Sequence, residues 1–425
     1  MTSKVAKVVD WFRNRRSDFW ALRSAWWQRR VLNRIRSRPP GSKIRVLFYV
    51  YDAAKWKCQG VYDMMAESAD FEPLVAIGQS PYNPVSKSPE TSEAALRGLE
   101  RQFAAYGCKT VRVVRGFPIR FDDLRKLRPD IVFLQQPWSL PQEYCPHSIS
   151  EFALPMYVPY YVDVGFDYDL DVRDDFFRGL RAHFVLTPGW AKALRDVHRG
   201  IASAVEFVAT GHPSLDDISG IRRGARQDGK VKTVIYAPHF SFEHPNIRRI
   251  LNIGTFSWNG MQILDYAKAH REFDWIFKPH PALMDNLSRP DVLGADGAKA
   301  YYDEWRKIGK VELGGNYASL FDEADAMVTD CGSFLAEFGA TGKPIVYLVR
   351  SHPDAQMPNA PNRYFDSYYK ARNLEEMYEA FKSVLEESRD PKREERRKAV
   401  EAAGLMMDDA AKRIVEWLRK LCANA

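Results

Sequence analysis

Two histidines stand directly after short apolar runs of the sequence. His239 follows the run 234–237, and His280, preceded by Lys278, follows the run 275–277. An imidazole beside a phosphate can donate a hydrogen bond to an oxygen and change its own charge near neutral pH. Two cationic groups at one strand end suit a pyrophosphate leaving group. We therefore predict that His280 and His239 are catalytic and that Lys278 binds a nucleotide, with one structural histidine per turn as the alternative.

A third segment combines a small-residue turn with the start of a helix. The turn begins at Asp330, and the helix is expected to begin near Phe334. Free backbone N–H groups and the helix dipole favour an anion there, where Gly332 permits close approach and Ser333 offers a hydroxyl. Glu337, one helical turn beyond Ser333, can take two ribose hydroxyls. These five residues complete the predicted nucleotide site. The alternative is an ordinary N-cap by Asp330 or Ser333, with Glu337 solvated.

The elements that position these residues follow from the pattern of apolar runs. Short apolar runs alternate with helical spacers on both sides of a polar stretch at 217–232. That alternation predicts an α/β fold with two doubly wound, Rossmann-like parallel sheets. Ligands of such sheets bind at the carboxyl ends of the strands, and all three segments place their polar residues at that end.

Four motifs, taken in order, resemble the CDP-glycerol glycerophosphotransferase family, which contains the teichoic-acid and capsule primases and polymerases. They are Tyr236-Ala-Pro238, Lys278-Pro-His-Pro281, Thr329-Asp-Cys-Gly-Ser333 and Gly342-Lys-Pro344. The resemblance covers residues 185–350 and includes Thr210-Gly-His-Pro-Ser-Leu-Asp216. It implies a two-domain fold of the second glycosyltransferase type, GT-B, with the nucleotide in the C-terminal half.

The catalytic base of that family has no counterpart in this sequence. Family members often carry a Trp-His-Gly element in the N-terminal domain, and this chain contains none. In the family fold, the region that ends the strand 156–163 faces the donor across the interdomain cleft. Asp163 is therefore our predicted base, and an aspartate that caps its own backbone is the alternative. The segment Gln135-Gln-Pro-Trp138 also follows a strand end and is expected to face the cleft.

The resemblance implies transfer of a glycerol-phosphate or related polyol-phosphate unit from a CDP-activated donor. The acceptor would be a hydroxyl of a cell-surface polysaccharide or lipid-linked molecule, and CMP would leave. Two alternatives stay open. One is a nucleotide-sugar glycosyltransferase of the same fold in capsule or lipopolysaccharide synthesis. The other is a non-catalytic nucleotide-binding scaffold, which the missing Trp-His-Gly element favours. No carboxylate pair has metal-binding spacing, so the sequence does not imply a divalent ion, and we assign no metal ligand and no cofactor.

The N-terminal segment is much more basic than the rest of the chain. Residues 1–45 contain 13 Lys and Arg against two Asp, a net charge of +11, so the remaining residues carry −4 of the total of +7. Four tryptophans and an imperfect apolar stripe along residues 1–38 favour an interfacial helix at an anionic membrane surface. A terminal helix packed on the protein body or on another subunit is the alternative. Charge localised in this way argues against a nucleic-acid partner.

The remaining features of the sequence indicate where the protein lies in the cell and how the chain divides into domains. The sequence of 425 residues has no apolar run long enough for a membrane span, no signal-peptide pattern and five scattered cysteines. We predict a cytoplasmic protein that is peripheral at the inner face of the cell membrane. The predicted parts are basic helices at 1–40, an acceptor-side Rossmann-like domain at 41–216, a nucleotide-donor domain at 230–372 and closing helices at 373–425. Two closing helices are expected, at 373–388 and 392–421.

Overall fold

The chain forms two compact units. The computed structural model describes residues 2–79, 89–116, 119–138, 140–162, 175–197, 205–223, 231–241, 254–314, 317–350 and 364–423, with side chains from Asp18 onward. Among these residues, the first unit contains those up to 162, those from 175 to 216 and those from 409 to 423. The second unit contains the described residues between 217 and 408.

The strands are short, apolar and mostly buried, as expected for strands that are covered on both faces. In chain order they are β1 (Ile44–Val50), β2 (Phe71–Ile77), β3 (Thr110–Arg112), β4 (Val114–Arg115), β5 (Arg120–Phe121), β6 (Ile131–Leu134), β7 (Leu154–Tyr157), β8 (Ala182–Val185), β9 (Glu206–Ala209), β10 (Thr233–Ala237), β11 (Asp274–Phe277), β12 (Lys310–Val311), β13 (Ala326–Thr329), β14 (Ile345–Leu348) and β15 (Tyr369–Ala371).

Each unit contains one doubly wound parallel sheet. The strand order is β3-β2-β1-β6-β7-β8-β9 in the first unit and β12-β11-β10-β13-β14-β15 in the second, while β4 and β5 form a separate antiparallel pair. In each sheet, successive strands are added outward on one side of the first strand and then outward on its other side. The strand order therefore reverses between β1 and β6 in the first sheet and between β10 and β13 in the second. Such switch points are where open parallel sheets bind ligands. The predicted fold class, two Rossmann-like domains of the GT-B type, is confirmed.

The helices cover the faces of these sheets. In chain order they are α1 (Thr2–Arg36), α2 (Gln59–Ala66), α3 (Pro89–Ala105), α4 (Pro146–Ile149), α5 (Asp175–Gly179), α6 (Pro188–Val197), α7 (Pro213–Arg223), α8 (Phe256–Ala269), α9 (Leu283–Leu287), α10 (Gly294–Ile308), α11 (Ala318–Glu323), α12 (Gly332–Glu337), α13 (Leu374–Phe381), α14 (Arg393–Ala402) and α15 (Ala410–Cys422). A π-helical turn, Lys382–Glu386, follows α13. Of the helices described, none is both long enough and apolar enough to cross a lipid bilayer.

The last helix, α15, belongs to the first unit. Its buried residues Ile414 and Leu418 share an apolar cluster with β1 and β6. The carboxylate of Asp216 accepts the backbone N–H groups of Ala410 and Ala411, at 2.9 and 2.8 Å. This carboxylate satisfies two backbone donors that a helix start leaves open. The chain therefore returns to the first unit after the second unit is complete.

The predicted single helix 392–421 is wrong, because α14 and α15 are separate helices. Gly404 has a φ of +77° and Asp409 a φ of +61°, both in the left-handed region. A residue in that region does not continue an α-helix, so α14 ends before Gly404 and α15 begins after its N-cap, Asp409. The turn between these two residues is what allows α15 to leave the second unit.

One face of α1 is part of the core of the first unit. Ala21, Ser24, Gln28, Val31 and Ile35 are all buried, at alternating spacings of three and four residues. This spacing places the five side chains on one stripe of the helix. Val31 and Ile35 lie in the same apolar cluster as the central strands.

Polar contacts hold the same helix in place. The side-chain amide of Gln28 donates to the hydroxyl of Ser150 at 3.0 Å and to the carbonyl of Gly179 at 2.7 Å. Arg38, just beyond the helix, makes a two-pronged ion pair with the buried carboxylate of Asp130, at 2.6 and 2.5 Å. The alternative of a helix packed on the protein body therefore describes residues 18–36.

Candidate functional site

The candidate site lies at the carboxyl edge of the second sheet. Strands β11, β10 and β13 are neighbours, with Tyr236 paired to Phe277 and Ala237 paired to Thr329. The strand ends are therefore level, and the turns that follow them lie side by side. These three turns contain the histidines and the small-residue motif that the sequence singled out.

Asp330 joins the turn after β13 to the turn after β10. Its carboxylate accepts the backbone N–H of His239 at 2.6 Å, and the N–H and hydroxyl of Thr255 at 2.6 and 2.9 Å. Gly254 lies against the turn after β10, since a Cβ there would lie 1.6 Å from the carbonyl oxygen of Ser241. Burial raises the pKa of Asp330, while these hydrogen bonds oppose the rise. Asp330 thus shapes the switch point of the sheet.

His239 is buried, and its turn sets its tautomer. The Nδ1 atom accepts the backbone N–H of Ser241 at 3.2 Å and lies 2.7 Å from the hydroxyl of the same residue. Burial, followed by the neighbouring His280, lowers the pKa of His239 to about 3. The imidazole is therefore neutral at pH 7 and carries its proton on Nε2, where it can donate a hydrogen bond.

His280 lies against His239, so the structure brings the two predicted histidines together. Their ring centroids are 5.3 Å apart, and Phe240 packs on both rings at 4.4 and 4.5 Å. The Nδ1 atom of His280 accepts the backbone N–H of Ala282 at 3.1 Å. Its neutral form therefore also carries the proton on Nε2. Both turns present an imidazole N–H at the same edge of the sheet.

Lys278 is buried beside these histidines, with 5% of its surface exposed. Its ammonium donates to the carbonyl oxygen of Gly314 at 2.7 Å. That bond fixes the side chain and satisfies one of the three ammonium donors. The predicted contact of Lys278 with a nucleotide remains a prediction.

The helix after β13 starts two residues earlier than predicted, at Gly332. Its N-cap residue is Cys331, and no side chain in the described part of the chain caps it. The Thr329 hydroxyl accepts the N–H of Cys331 at 2.9 Å, and the Ser333 hydroxyl lies 3.5 Å from the Cys331 sulfur. The alternative of an ordinary cap by Asp330 or Ser333 is therefore wrong.

Glu337 is buried within the second unit, with 1% of its surface exposed. Its carboxylate accepts a hydrogen bond from the hydroxyl of Tyr317, whose ring packs on Phe334 at 5.2 Å. Burial, and next the charge of Glu337, raises the pKa of Tyr317, which keeps that phenol protonated. The alternative of a solvated Glu337 is wrong. A ribose contact stays a prediction, and it requires Tyr317 to share or release this carboxylate.

The predicted base, Asp163, lies outside the described residues. Gln135, Gln136 and Trp138 follow β6 in the first unit, where both glutamines are buried and Trp138 is 40% exposed. Among the described side chains, no group of three or more His, Cys, Asp or Glu is placed to hold a metal ion.

Four residues that shape the site were not singled out from the sequence: Ser241, Gly254, Thr255 and Tyr317. Ser241 had a detectable signal, because His239 and Ser241 repeat the spacing of His212 and Ser214. His212 Nδ1 likewise accepts the N–H of Ser214, at 3.3 Å. Gly254, Thr255 and Tyr317 reach the site only through tertiary contacts, and no local pattern marks them.

Comparisons with known proteins identify the fold. The sequence matches no protein-family model and no curated protein. Among solved structures, UDP-GlcNAc 2-epimerase from Neisseria meningitidis, bound to UDP-GlcNAc, is 14% identical. The match covers 89% of this chain and 100% of that one, with a TM-score of 0.52. The structure of S. aureus MnaA with UDP is 13% identical to this chain. The match covers 88% of this chain and 96% of that one, with a TM-score of 0.53.

The wall teichoic acid polymerase TagF also has this fold. It is 10% identical, and the match covers 99% of this chain and 98% of that one, with a TM-score of 0.51. At these identities the similarity establishes the fold, which TagF and the epimerases share. The nearly complete coverage by TagF includes residues that the epimerase matches leave out.

Proposed function

We propose that this protein transfers a polyol-phosphate unit, such as glycerol phosphate, from a CDP-activated donor to an acceptor hydroxyl. The pair formed by His239 and His280 is the observation that carries the proposal. Two imidazoles at the switch point of a parallel sheet, each with Nδ1 accepting a backbone N–H and Nε2 left to carry a proton, are donors for the oxygens of a pyrophosphate. The resemblance of the four motifs to the glycerophosphotransferase family and the fold shared with TagF support this donor class.

The proposed reaction is a displacement at phosphorus. The acceptor oxygen forms a bond to the β-phosphorus of the donor, and the bond to the bridging oxygen breaks. CMP leaves with that oxygen, and the acceptor proton passes to a base, for which Asp163 is our candidate. Donors fixed in advance at the leaving phosphate stabilise the charge that develops there. We assign this task to His280 and His239, with Lys278, Asp330, Gly332, Ser333, Phe334 and Glu337 forming the nucleotide site.

The acceptor we propose is a cell-surface polysaccharide or a lipid-linked molecule at a membrane, because α1 presents an apolar face outward. Phe19, Leu22 and Trp26 are 60%, 55% and 51% exposed, on the side of the helix away from its buried stripe. The guanidinium of Arg30 lies 4.8 Å from the Trp26 ring centre. Aromatic and cationic side chains on one helix face suit the headgroup region of an anionic bilayer. We infer peripheral binding through this face.

A nucleotide-sugar transferase is the second candidate, because the matched epimerase and MnaA structures contain UDP-GlcNAc and UDP. The test is nucleotide release by the purified full-length protein, given a lipid-linked or polysaccharide acceptor with either CDP-glycerol or a UDP-sugar. Release of CMP from CDP-glycerol is the expected result. Release of UDP alone would favour the second candidate. Binding of CDP-glycerol without release, with every acceptor tried, would favour the scaffold, and no binding at all would overturn the proposal.

A further inference from the structure

A small polar pocket lies at the switch point of the first sheet. It is formed by residues that follow β1 and β6, which are neighbouring strands. Its lining includes Tyr49, Asp52, Lys55, Gln135, Gln136 and Leu140. This is the position in the first unit that corresponds to the histidine pair in the second, namely the carboxyl edge where the strand order reverses. The pocket contains none of the residues assigned above to the nucleotide.

Two buried amides in this pocket lack hydrogen-bond partners. Within the described part of the chain, the Nε2 atom of Gln135 and the Oε1 atom of Gln136 have none. The residues are 7% and 2% exposed. The orientation of the Gln136 amide is set by its own Nε2, which donates to the carbonyl of Trp138 at 2.7 Å. The pocket therefore offers one unpaired donor and one unpaired acceptor, and buried polar groups are normally paired.

Lys55 adds a positive charge to the same pocket. Its ammonium lies 3.6 Å from the carboxylate of Asp52 and 5.1 and 5.5 Å from the ring centres of Tyr51 and Tyr160. Burial lowers the pKa of Lys55, and the nearby Asp52 opposes that change. Asp52 is held in turn by the backbone N–H of Ala54, which donates to it at 3.0 Å. The cation is thus positioned next to the two amides.

The unpaired groups determine which ligand fits. A metal cation is excluded by the ammonium of Lys55 and the donor of Gln135. A fully ionised phosphate has no proton to give to the Gln136 oxygen. A hydroxyl group both accepts and donates, so one hydroxyl satisfies both glutamines at once. The cavity volume is about 10 Å³, which is room for a single oxygen-sized group.

We propose that this pocket binds a hydroxyl group of a polyol acceptor that lies beside the hydroxyl that attacks phosphorus. The hydroxyl oxygen accepts from Gln135 Nε2, its proton is donated to Gln136 Oε1, and Lys55 faces its remaining lone pair. The inference rests on the proposed function for its acceptor, since the last unit of a polyol-phosphate chain carries a further hydroxyl beside the one that attacks. It adds a specificity site in the first unit, at residues that no motif of the nucleotide site includes.

The test is direct binding of glycerol and ribitol to the full-length protein, measured by saturation-transfer NMR without nucleotide. A saturable signal is expected from both polyols. Glycerol trimethyl ether, which keeps the oxygens but has no hydroxyl proton, should give no displaceable signal. Gln136→Leu and Gln135→Glu should each weaken polyol binding about tenfold, the size expected for one buried hydrogen bond. Gln135→Glu keeps the side-chain shape and replaces the donor with an oxygen of a negatively charged carboxylate.

Gln142→Leu is the matched control, because Gln142 is an exposed glutamine of the same unit. It should leave polyol binding unchanged. Absence of a saturable polyol signal in the wild type would overturn the proposal and assign the pocket to a structural water. Equal binding in wild type, Gln136→Leu and Gln135→Glu would overturn it as well. Calorimetry with CDP-glycerol on the same samples keeps the two questions separate, since loss of nucleotide binding bears on the proposed function and not on this pocket.

Discussion

The carboxylate of Asp330 at the end of β13 accepts the backbone N–H of His239 at the end of β10, at 2.6 Å. These two strands flank the switch point of the second sheet. One buried side chain therefore fixes the distance between the turn that carries His239 and the turn that begins α12. The imidazole pair depends on this link, because His280 packs against His239.

Asp330→Ala should destabilise the second unit. The change leaves the N–H groups of His239 and Thr255 buried without an acceptor, and each hydrogen bond to a charged group contributes about 1.5–3 kcal/mol. We expect the free energy of unfolding to fall by about 3 kcal/mol or more, measured by urea denaturation. Asp274→Ala, at an exposed position of the same unit, is the control. Equal stability of the two variants would show that Asp330 does not hold the strand ends together.

Ser333→Ala should weaken binding of CDP-glycerol while leaving the fold intact. The Ser333 hydroxyl is only half-buried, and its contact at 3.5 Å is with the sulfur of Cys331. Loss of one hydrogen bond to a charged phosphate corresponds to about 1.5–3 kcal/mol. Titration calorimetry measures the change, with Ser319→Ala, at an exposed serine of α11, as the control. Unchanged affinity in Ser333→Ala would remove Ser333 from the nucleotide site.

His280→Ala should lower turnover much more than it weakens nucleotide binding. A fixed donor acts mainly on the charge that develops in the transition state, and removal of one such donor reduces kcat by about 10²–10³. His280→Gln retains a side-chain N–H and should recover part of the rate. The measurement is kcat for CMP release beside the Kd of CDP-glycerol. A rate loss equal to the binding loss would make His280 a ground-state contact.

Lowering the pH should destabilise the first unit through His212. Burial lowers the pKa of His212 from 6.5 to about 4, although its bond to the carbonyl of Pro159 opposes this. Between these two values the unfolded chain binds a proton that the folded chain does not, so stability falls as the pH falls below 6.5. At pH 5 the loss relative to pH 7 is about 2 kcal/mol.

Denaturation of wild type and His212→Gln at pH 7 and pH 5 measures this contribution. The variant starts less stable at pH 7, because it lacks the histidine contacts with Ser214 and Pro159. Its stability should fall less between the two pH values than that of the wild type. The same pH dependence in both proteins would contradict the assignment.

Replacing the outer face of α1 should abolish binding to anionic vesicles. The triple variant Phe19→Ser, Leu22→Gln and Trp26→Gln removes exposed apolar side chains and leaves the buried stripe unchanged. The wild type should sediment with vesicles that contain anionic lipid at low salt and be released at high salt, because salt screens the basic charge. Leu313→Gln, at a residue of the second unit that is 56% exposed, is the control.

Deletion of residues 1–38 cannot test the membrane proposal, since Val31 and Ile35 belong to the core of the first unit. If the triple variant sediments with anionic vesicles as the wild type does, the membrane proposal is wrong.

The sequence by itself determined the fold class and many of the strand ends, although the strand predicted at 156–163 is wrong, since β7 spans Leu154–Tyr157. The apolar run 44–50 predicts β1 with the bounds that the structure has, because a buried strand needs a continuous apolar run and little else. The turns after β10, β11 and β13 were also found, since Pro, Gly and His stand directly after such runs. Their proximity followed from the rule that parallel strands align their carboxyl ends.

Only the tertiary structure decided what these side chains contact. Asp330 was expected to face a ligand or cap a helix, and the structure shows that its carboxylate also binds His239 and Thr255, residues that lie 91 and 75 positions away in the chain. The face of α1 that is buried was also undetermined, because apolar residues lie on both of its sides. Ala21, Ser24 and Gln28 are covered since the body supplies a complementary surface with Ser150 and Gly179. Local pattern sets secondary structure, whereas burial and hydrogen-bond partners depend on residues brought together by folding.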